Sequence, residues 1–287
     1  MATIQKILFP VDFSPSCDAM APFVQRVAAM FSATVTLLYV LEPSTSGFEV
    51  LTRPVPDAEE DRKKVVCAKL ETYLAAEFPL HEIPRLLVAG EAASRIAEVA
   101  RRRGFDLIVM PTHAGVFRRM LLGSTTAKVL NDADCMVLTT QHAETISPRP
   151  LEHREWVCAV GLSADSKRIL GIASQLAETA HANLSIIHAI PVTQRGLPIQ
   201  LDLEERVQSM ERQTAQERVS ELQRAVGSHA RVSIAAGPIK EALTEMACRL
   251  HADALVIGRG SQPSVQGRLR DLTYAVVRDA PCPVISV

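Results

Sequence analysis

Two short stretches hold the reactive and polar residue types in a suggestive arrangement. Asp12 and Ser14 follow the apolar run Ile7-Leu8-Phe9-Pro10-Val11, and Pro111-Thr112-His113-Ala114 follow the apolar run Leu107-Ile108-Val109-Met110. After a loop with Arg118 and Arg119, the chain then reads Gly123-Ser124-Thr125-Thr126 ahead of a helical pattern through Ala127, Val129 and Leu130. The first N–H groups of a helix have no intrahelical acceptor, and the helix dipole adds positive potential there. A Gly-Ser-Thr helix start is therefore a seat for an anion, and phosphate is the expected chemistry. Guanidinium groups such as Arg118 and Arg119 suit phosphate, although paired arginines in a loop also read as a solvated face. Lys128 stands too far beyond Gly123 for a Walker loop. A triad of Ser124, His113 and Asp12 can be drawn, but no Gly-x-Ser-x-Gly elbow supports it, and a lone loop histidine is ordinarily a polar surface residue. His181, His188 and His251 read as structural. Cysteines 17, 67, 135, 158, 248 and 282 form no CxxC pair, which argues against a zinc knuckle or a disulfide framework.

The segments that must position these residues alternate between strand and helix patterns. Strands are expected at Ile7–Val11, Val35–Val40, Arg85–Ala89, Leu107–Met110 and Cys135–Thr139. Between them lie a helix turning Ala19, Phe23, Val27 and Met30 inward, a long helix Asp57–Glu77 with Val65, Val66, Leu70 and Leu74 inward, and helices Ala92–Arg103 and Ser124–Asn131. Asp12-Phe13-Ser14-Pro15-Ser16 reads as a turn and helix N-cap, and Glu42–Pro56 as a Pro-rich loop. Such alternation implies a parallel sheet with right-handed crossovers and helices on both faces. Ligands of such sheets bind at the carboxyl ends of strands where the strand order reverses, and Asp12, Val40 and Pro111 all lie at strand ends of this kind.

The plan occurs twice. Cys135 aligns with Cys282 at an offset of 147 (282 − 135), Asp106 with Asp253 and Gly90 with Gly237 at the same offset, and Val11-Asp12-Phe13-Ser14 with Val160-Gly161-Leu162-Ser163 at 149 (160 − 11). Domains are expected at 1–140 and 155–287, joined by a linker at 141–154 that contains Pro148-Arg149-Pro150. In the second copy the aspartate becomes Gly161, and Arg270-Asp271 replace Gly123-Ser124 at an expected helix start, Leu269–Arg278, where an aspartate competes with phosphate. Strands at Trp156–Val160, Leu184–Ala189, Val232–Ala235, Leu255–Ile257 and Val284–Val287 complete that copy, with helices Lys167–Thr179, Leu203–Val226 and Lys240–Leu250.

The opening Ile7-Leu8-Phe9-Pro10-Val11-Asp12-Phe13-Ser14, the step Leu121-Leu122-Gly123-Ser124-Thr125 and the closing segments around Cys135 and Cys282 resemble the universal stress protein family over nearly the whole chain. The resemblance implies an α/β fold of two tandem doubly wound parallel sheets, each of five strands in the order 3-2-1-4-5. It also implies ATP at a Gly-x-x-Gly, about nine residues, Gly-Ser/Thr cradle, with Mg²⁺ held mainly by phosphates and water. On that pattern Asp12 faces the adenine side, Val40 touches the base, Pro111, Thr112, His113 and Ala114 stand at the Gly-x-x-Gly, and Gly123, Ser124 and Thr125 hold phosphate. Pro111 and Ala114 replace both glycines, and eight residues separate Ala114 from Gly123. Some members of the family bind no nucleotide, so an interaction module of the same fold is the alternative, and a slow hydrolase using His113 a weaker one. The role expected is sensing or switching in a stress response with little catalysis, because no general base or arginine finger is recognisable. Pairing of the two repeats within the chain and further association into a homodimer are also expected. With 31 basic and 32 acidic residues nothing attracts nucleic acid, and no apolar run is long enough for a membrane span, so a cytoplasmic location is expected.

Overall fold

The computed structural model describes residues 3–43, 56–112, 122–140, 154–190, 201–259 and 266–287. The chain divides into two compact units, one mainly Ile4–Leu138 and the other mainly Ser147–Val287.

The first copy runs β1 (Lys6–Val11), α1 (Pro15–Phe31), β2 (Thr34–Leu41), α2 (Pro56–Thr72), β3 (Arg85–Ala89), α3 (Ala92–Arg103), β4 (Leu107–Pro111), α4 (Ser124–Asp132) and β5 (Met136–Thr140). Its strands are ordered β3-β2-β1-β4-β5, as the family resemblance implies. The pairings of β1 with β2 and β4, and of β2 with β3, are parallel. Right-handed crossovers in that order carry α1 and α2 over one face and α3 and α4 over the other, and α3 packs against α4. The strands are buried on both faces, with Ile7, Leu8, Phe9, Leu107, Ile108 and Val109 fully shielded.

The second copy repeats this with β6 (Glu155–Ala159), α5 (Ser166–Thr179), β7 (Asn183–Ile190), α6 (Leu201–Val226), β8 (Arg231–Ala236), α7 (Ile239–Arg249), β9 (Ala254–Ile257), α8 (Gln266–Asp279) and β10 (Val284–Ser286). Its order, β10-β9-β6-β7-β8, is the same arrangement. Asp106 and Asp253, which align in the repeat, do one job: Oδ2 of Asp106 accepts the N–H groups of Gln5 and Lys6 at 2.9 Å, and Oδ2 of Asp253 accepts that of Glu155 at 2.8 Å. Each thus ties the fourth strand's entry to the first strand's start.

Backbone torsions repeat as well. Positive φ occurs at Phe13, Ser32, Leu74, Gly90 and Gly104, and again at Leu162, His181, Gly227, Gly237 and His251. Four of these five pairs hold the offsets 149 or 147 read from the sequence (162 − 13, 181 − 32, 237 − 90, 251 − 104). His181 and His251 are thereby structural: each ends a helix in the left-handed region, which histidine tolerates better than most residues. His188 lies on β7 with Nδ1 2.8 Å from the Val160 carbonyl.

Two expectations about helices need correction. In α1 the buried positions are Cys17, Met20, Ala21, Phe23, Val24, Val27 and Ala28, while Ala19 and Met30 are only half-buried. The helix α2 stops at Thr72, short of Glu77, because Leu74 takes a left-handed φ of 50°. Val65 is 68% exposed and Val66 half-buried, and Leu70 is the buried residue of the expected inward set. The apolar contact passes instead to Phe78 beyond the helix, whose ring centroid lies 6.1 Å from that of Phe9. The carbonyls of Leu70, Tyr73, Phe78 and Ile83 are gathered by the Arg85 guanidinium, which fixes this long connection without regular structure.

Candidate functional site

The site lies in the first copy, where the strand order reverses between β1 and β4. Val11 pairs with Tyr39 across to β2, which brings Asp12 level with Val40. Ile7 and Leu8 pair with Leu107 and Ile108, and in that register, an offset of 100 (107 − 7), Thr112 falls opposite Asp12. Pro10 withholds an N–H from this central strand, and the recorded pairing with β4 ends two residues before it, at Leu8.

The turn after β1 is fixed by local chemistry. Phe13 has φ of 61°, a costly value for an aromatic residue, and it turns the chain so that Ser14 caps α1 by accepting the Cys17 N–H. Asp12 Oδ1 accepts the Ser14 N–H at 3.0 Å and the Cys17 thiol at 3.1 Å. Burial, and then the Asp12 charge, push Cys17 up to about 12, so it remains a thiol and donates. Among the described residues nothing donates to Asp12 Oδ2, and Asp12 is exposed. The Phe13 ring stacks on Tyr39 at 4.5 Å and meets Tyr73 edge-on at 4.8 Å, and the Lys69 ammonium lies 4.3 Å from its centroid. The end of α2 therefore braces the Asp12 turn. Sequence reading missed Tyr39, Lys69 and Tyr73, and the one available signal was an aromatic residue directly after the aspartate.

On the other side of the reversal, Pro111 closes β4 and Thr112 is 1% exposed. The Gly123 N–H donates to the Thr112 carbonyl at 2.8 Å, and the Thr126 hydroxyl donates to the Pro111 carbonyl at 2.9 Å. Two bonds thus lock the start of α4 onto the end of β4. Gly123 is the N-cap residue and provides no side-chain cap. The N–H groups of Ser124, Thr125 and Thr126 are left without intrahelical acceptors, and the Ser124 and Thr125 hydroxyls are not buried. That is the donor set a phosphate needs, so the fit to a phosphorylated ligand is good. Lys128, the cation of α4, is engaged elsewhere: its ammonium lies 2.8 Å from Glu91 Oε1, and Glu91 also caps α3 by accepting the Ser94 N–H at 2.8 Å. The Lys128 and Ser94 bonds hold Glu91 well below the carboxylate range, at about 2.

The structure therefore gathers Asp12, Val40, Pro111, Thr112, Gly123, Ser124 and Thr125 at one sheet end. His113, Ala114, Arg118 and Arg119 lie outside the described residues. Among the described residues no group of three His, Cys, Asp or Glu side chains converges on a metal position.

The second copy differs at the same place. Helix α8 ends at Asp279, the repeat partner of Asp132 (279 − 132 is 147), but begins at Gln266, five residues before the partner of Ser124 (271 − 266). Arg270 and Asp271 accordingly stand inside the helix, not at its start as expected. The N–H groups there have helical acceptors, and the anion seat is closed by backbone rather than by the aspartate's charge. Gly258, the partner of Pro111, has a packing role: a Cβ on it would come within 2.3 Å of Ile169 Cδ1 on α5.

Comparison with known proteins matches residues 3–141 and 154–287 each to the model of the universal stress protein family. Half of the chain is 28% identical over 145 residues to a universal stress protein of Methanocaldococcus jannaschii, covering 48% of this chain and 82% of that one. A universal stress protein A homolog of Coxiella burnetii is 25% identical over 143 residues, 48% of this chain and 97% of that one. The crystal structure of a universal stress protein from Archaeoglobus fulgidus is similar over 100% of this chain and 97% of its own, with a TM-score of 0.66 at 19% identity. A functionally unknown protein of Pseudomonas aeruginosa gives 0.66 at 20% identity, over 100% of this chain and 93% of its own. Among the described residues no helix is long and apolar enough to cross a membrane.

Proposed function

This chain belongs to the universal stress protein family, with two tandem copies of its domain, and from that premise we propose that the first copy binds an adenine nucleotide, ATP, and serves as a sensor or switch in a stress response. The observation that carries this reading is the uncapped start of α4, locked to β4 beside Asp12 and Val40. Phosphate oxygens take the N–H groups of Ser124 and Thr125 and their hydroxyls, the base lies against Val40, and Asp12 Oδ2 accepts from the base or ribose. Thr112 supports the seat through its carbonyl, and Pro111, His113 and Ala114 border it. Mg²⁺ would accompany the phosphates, held by them and by water. The switch works through differential affinity for two states of the protein, and catalysis is slight, because Asp12 is already engaged by Ser14 and Cys17. The protein acts in the cytoplasm, with pairing of its two copies and further association into a homodimer as part of the same reading. A strict monomer by light scattering at high concentration would count against the homodimer.

Calorimetry tests the site directly. ATP should bind the wild type, and Gly123→Asp should weaken it at least tenfold, about 1.4 kcal/mol, by placing a carboxylate at the helix start. A second reading, an interaction module without nucleotide, is favoured by Pro111, which has no N–H to offer where the family has glycine. No heat with wild-type protein, together with no nucleotide co-purifying by mass spectrometry, would establish it in place of the first. The weaker hydrolase reading requires turnover to fall in His113→Ala.

A further inference from the structure

The two copies differ also at the amino ends of their strands, on the face that carries the first two helices. In the first copy the connection from α2 to β3 is twelve residues long, 73–84, and in the second the connection from α6 to β8 is four, 227–230. Gln25 of α1 donates its amide to the carbonyl of Glu77 in the long connection. Its repeat partner, 149 residues on, is Ser174 of α5, whose buried hydroxyl has no hydrogen-bond partner among the described residues. A cleft of about 650 Å³ opens there, between α5 and the starts of β6, β7 and β8. That volume is within the range of small-molecule sites.

The charged residues of the lining are Glu155, Arg231 and the exposed Glu178 of α5, and His229 also lines the cleft. Glu155, half-buried at the start of β6, accepts a hydrogen bond from the buried Ser185 hydroxyl, and among the described residues no cation pairs with it. Its repeat partner is Lys6 (155 − 6 is 149), so the carboxylate is a property of this copy alone. Arg231 opens β8 and has no acceptor among the described residues. Glu155 pairs in register with Asn183 and Arg231 with Ser185, so the two charges flank β7 across two strand spacings, on the order of 10 Å. We propose that this cleft of the second copy binds a small zwitterion, its ammonium on Glu155 and its anionic end on Arg231, with Asn183 supplying a polar contact between and the short Ser174 side chain leaving the room that a glutamine would fill. The site is independent of the nucleotide reading and uses no residue of it.

The probes are the ω-amino carboxylates from glycine to 6-aminohexanoate, titrated calorimetrically into the full chain, with hexylamine and hexanoate as single-charge controls. Saturable binding is expected for the longer amino acids and to be tighter than for glycine or either control. Glu155→Gln and Arg231→Gln should each weaken it at least tenfold. Ser174→Gln, which restores the first copy's residue, should abolish it while circular dichroism stays that of the wild type. No saturable binding by any member, equal binding of a control, or binding unchanged in both charge variants overturns the proposal.

Discussion

Individual side chains show which polar features of this chain hold it together and which are free to act. Glu91 belongs to the first kind. Its carboxyl is held at about 2 against an ordinary 4.5, so the stability it contributes is fully present above about pH 4.5 and is lost as pH falls toward 2. The pair with Lys128 is largely solvated, with side-chain exposures of 46% and 59%, so the contribution is no more than about 1 kcal/mol. Urea unfolding at pH 7 and pH 3 should therefore show a smaller acid loss in Glu91→Gln than in the wild type. Gly258 belongs to the same kind for a steric reason. Gly258→Ala drives a methyl group at Ile169 Cδ1 and should cost about 1–3 kcal/mol by urea midpoint, with Ile169→Val in the same chain recovering most of it. Asp12 is of the second kind, since one oxygen fixes its own turn and the other remains open.

At the level of elements, helix faces and helix ends were the least legible. Phe78, 2% exposed outside any regular element, should cost about 3–5 kcal/mol when cut to alanine, whereas Val65→Gln should change stability by no more than about 0.5 kcal/mol. Sequence periodicity placed Val65 inward with Val66, Leu70 and Leu74 and gave Phe78 no place, because the expected helix Asp57–Glu77 ends one residue before it. Strands and short amphipathic helices were read well: β3 and α3 have the bounds expected from their apolar pattern and from Gly90 and Gly104 beside them. The start of α8 was not legible, since Gly267 in Gln266-Gly267-Arg268 reads as a breaker and the chain nevertheless winds through it. Of the candidate site, the strand-end residues could be read from their place after apolar runs. The brace of Tyr39, Lys69 and Tyr73 could not, because it joins residues up to 60 positions apart (73 − 13) that no local pattern connects.

For the molecule as a whole, the duplication makes a quantitative statement about ligand. The helix after the fourth strand starts at the Gly-Ser-Thr step in the first copy and five residues earlier in the second, so ATP titration should saturate near one nucleotide per chain, and a value near two would show that α8 unwinds to admit a second. The repeated left-handed residues have a different consequence. Phe13 and Leu162, Ser32 and His181, and Gly104 and His251 share a backbone shape while exchanging side chains freely, whereas positions 90 and 237 keep glycine at φ of 138° and 142°. Each half of the chain thus suggests what the other should tolerate: Gly104→His should keep its left-handed bend, where nothing lies within 4 Å of an added Cβ, whereas any side chain at 90 is strained by a torsion that L residues rarely adopt.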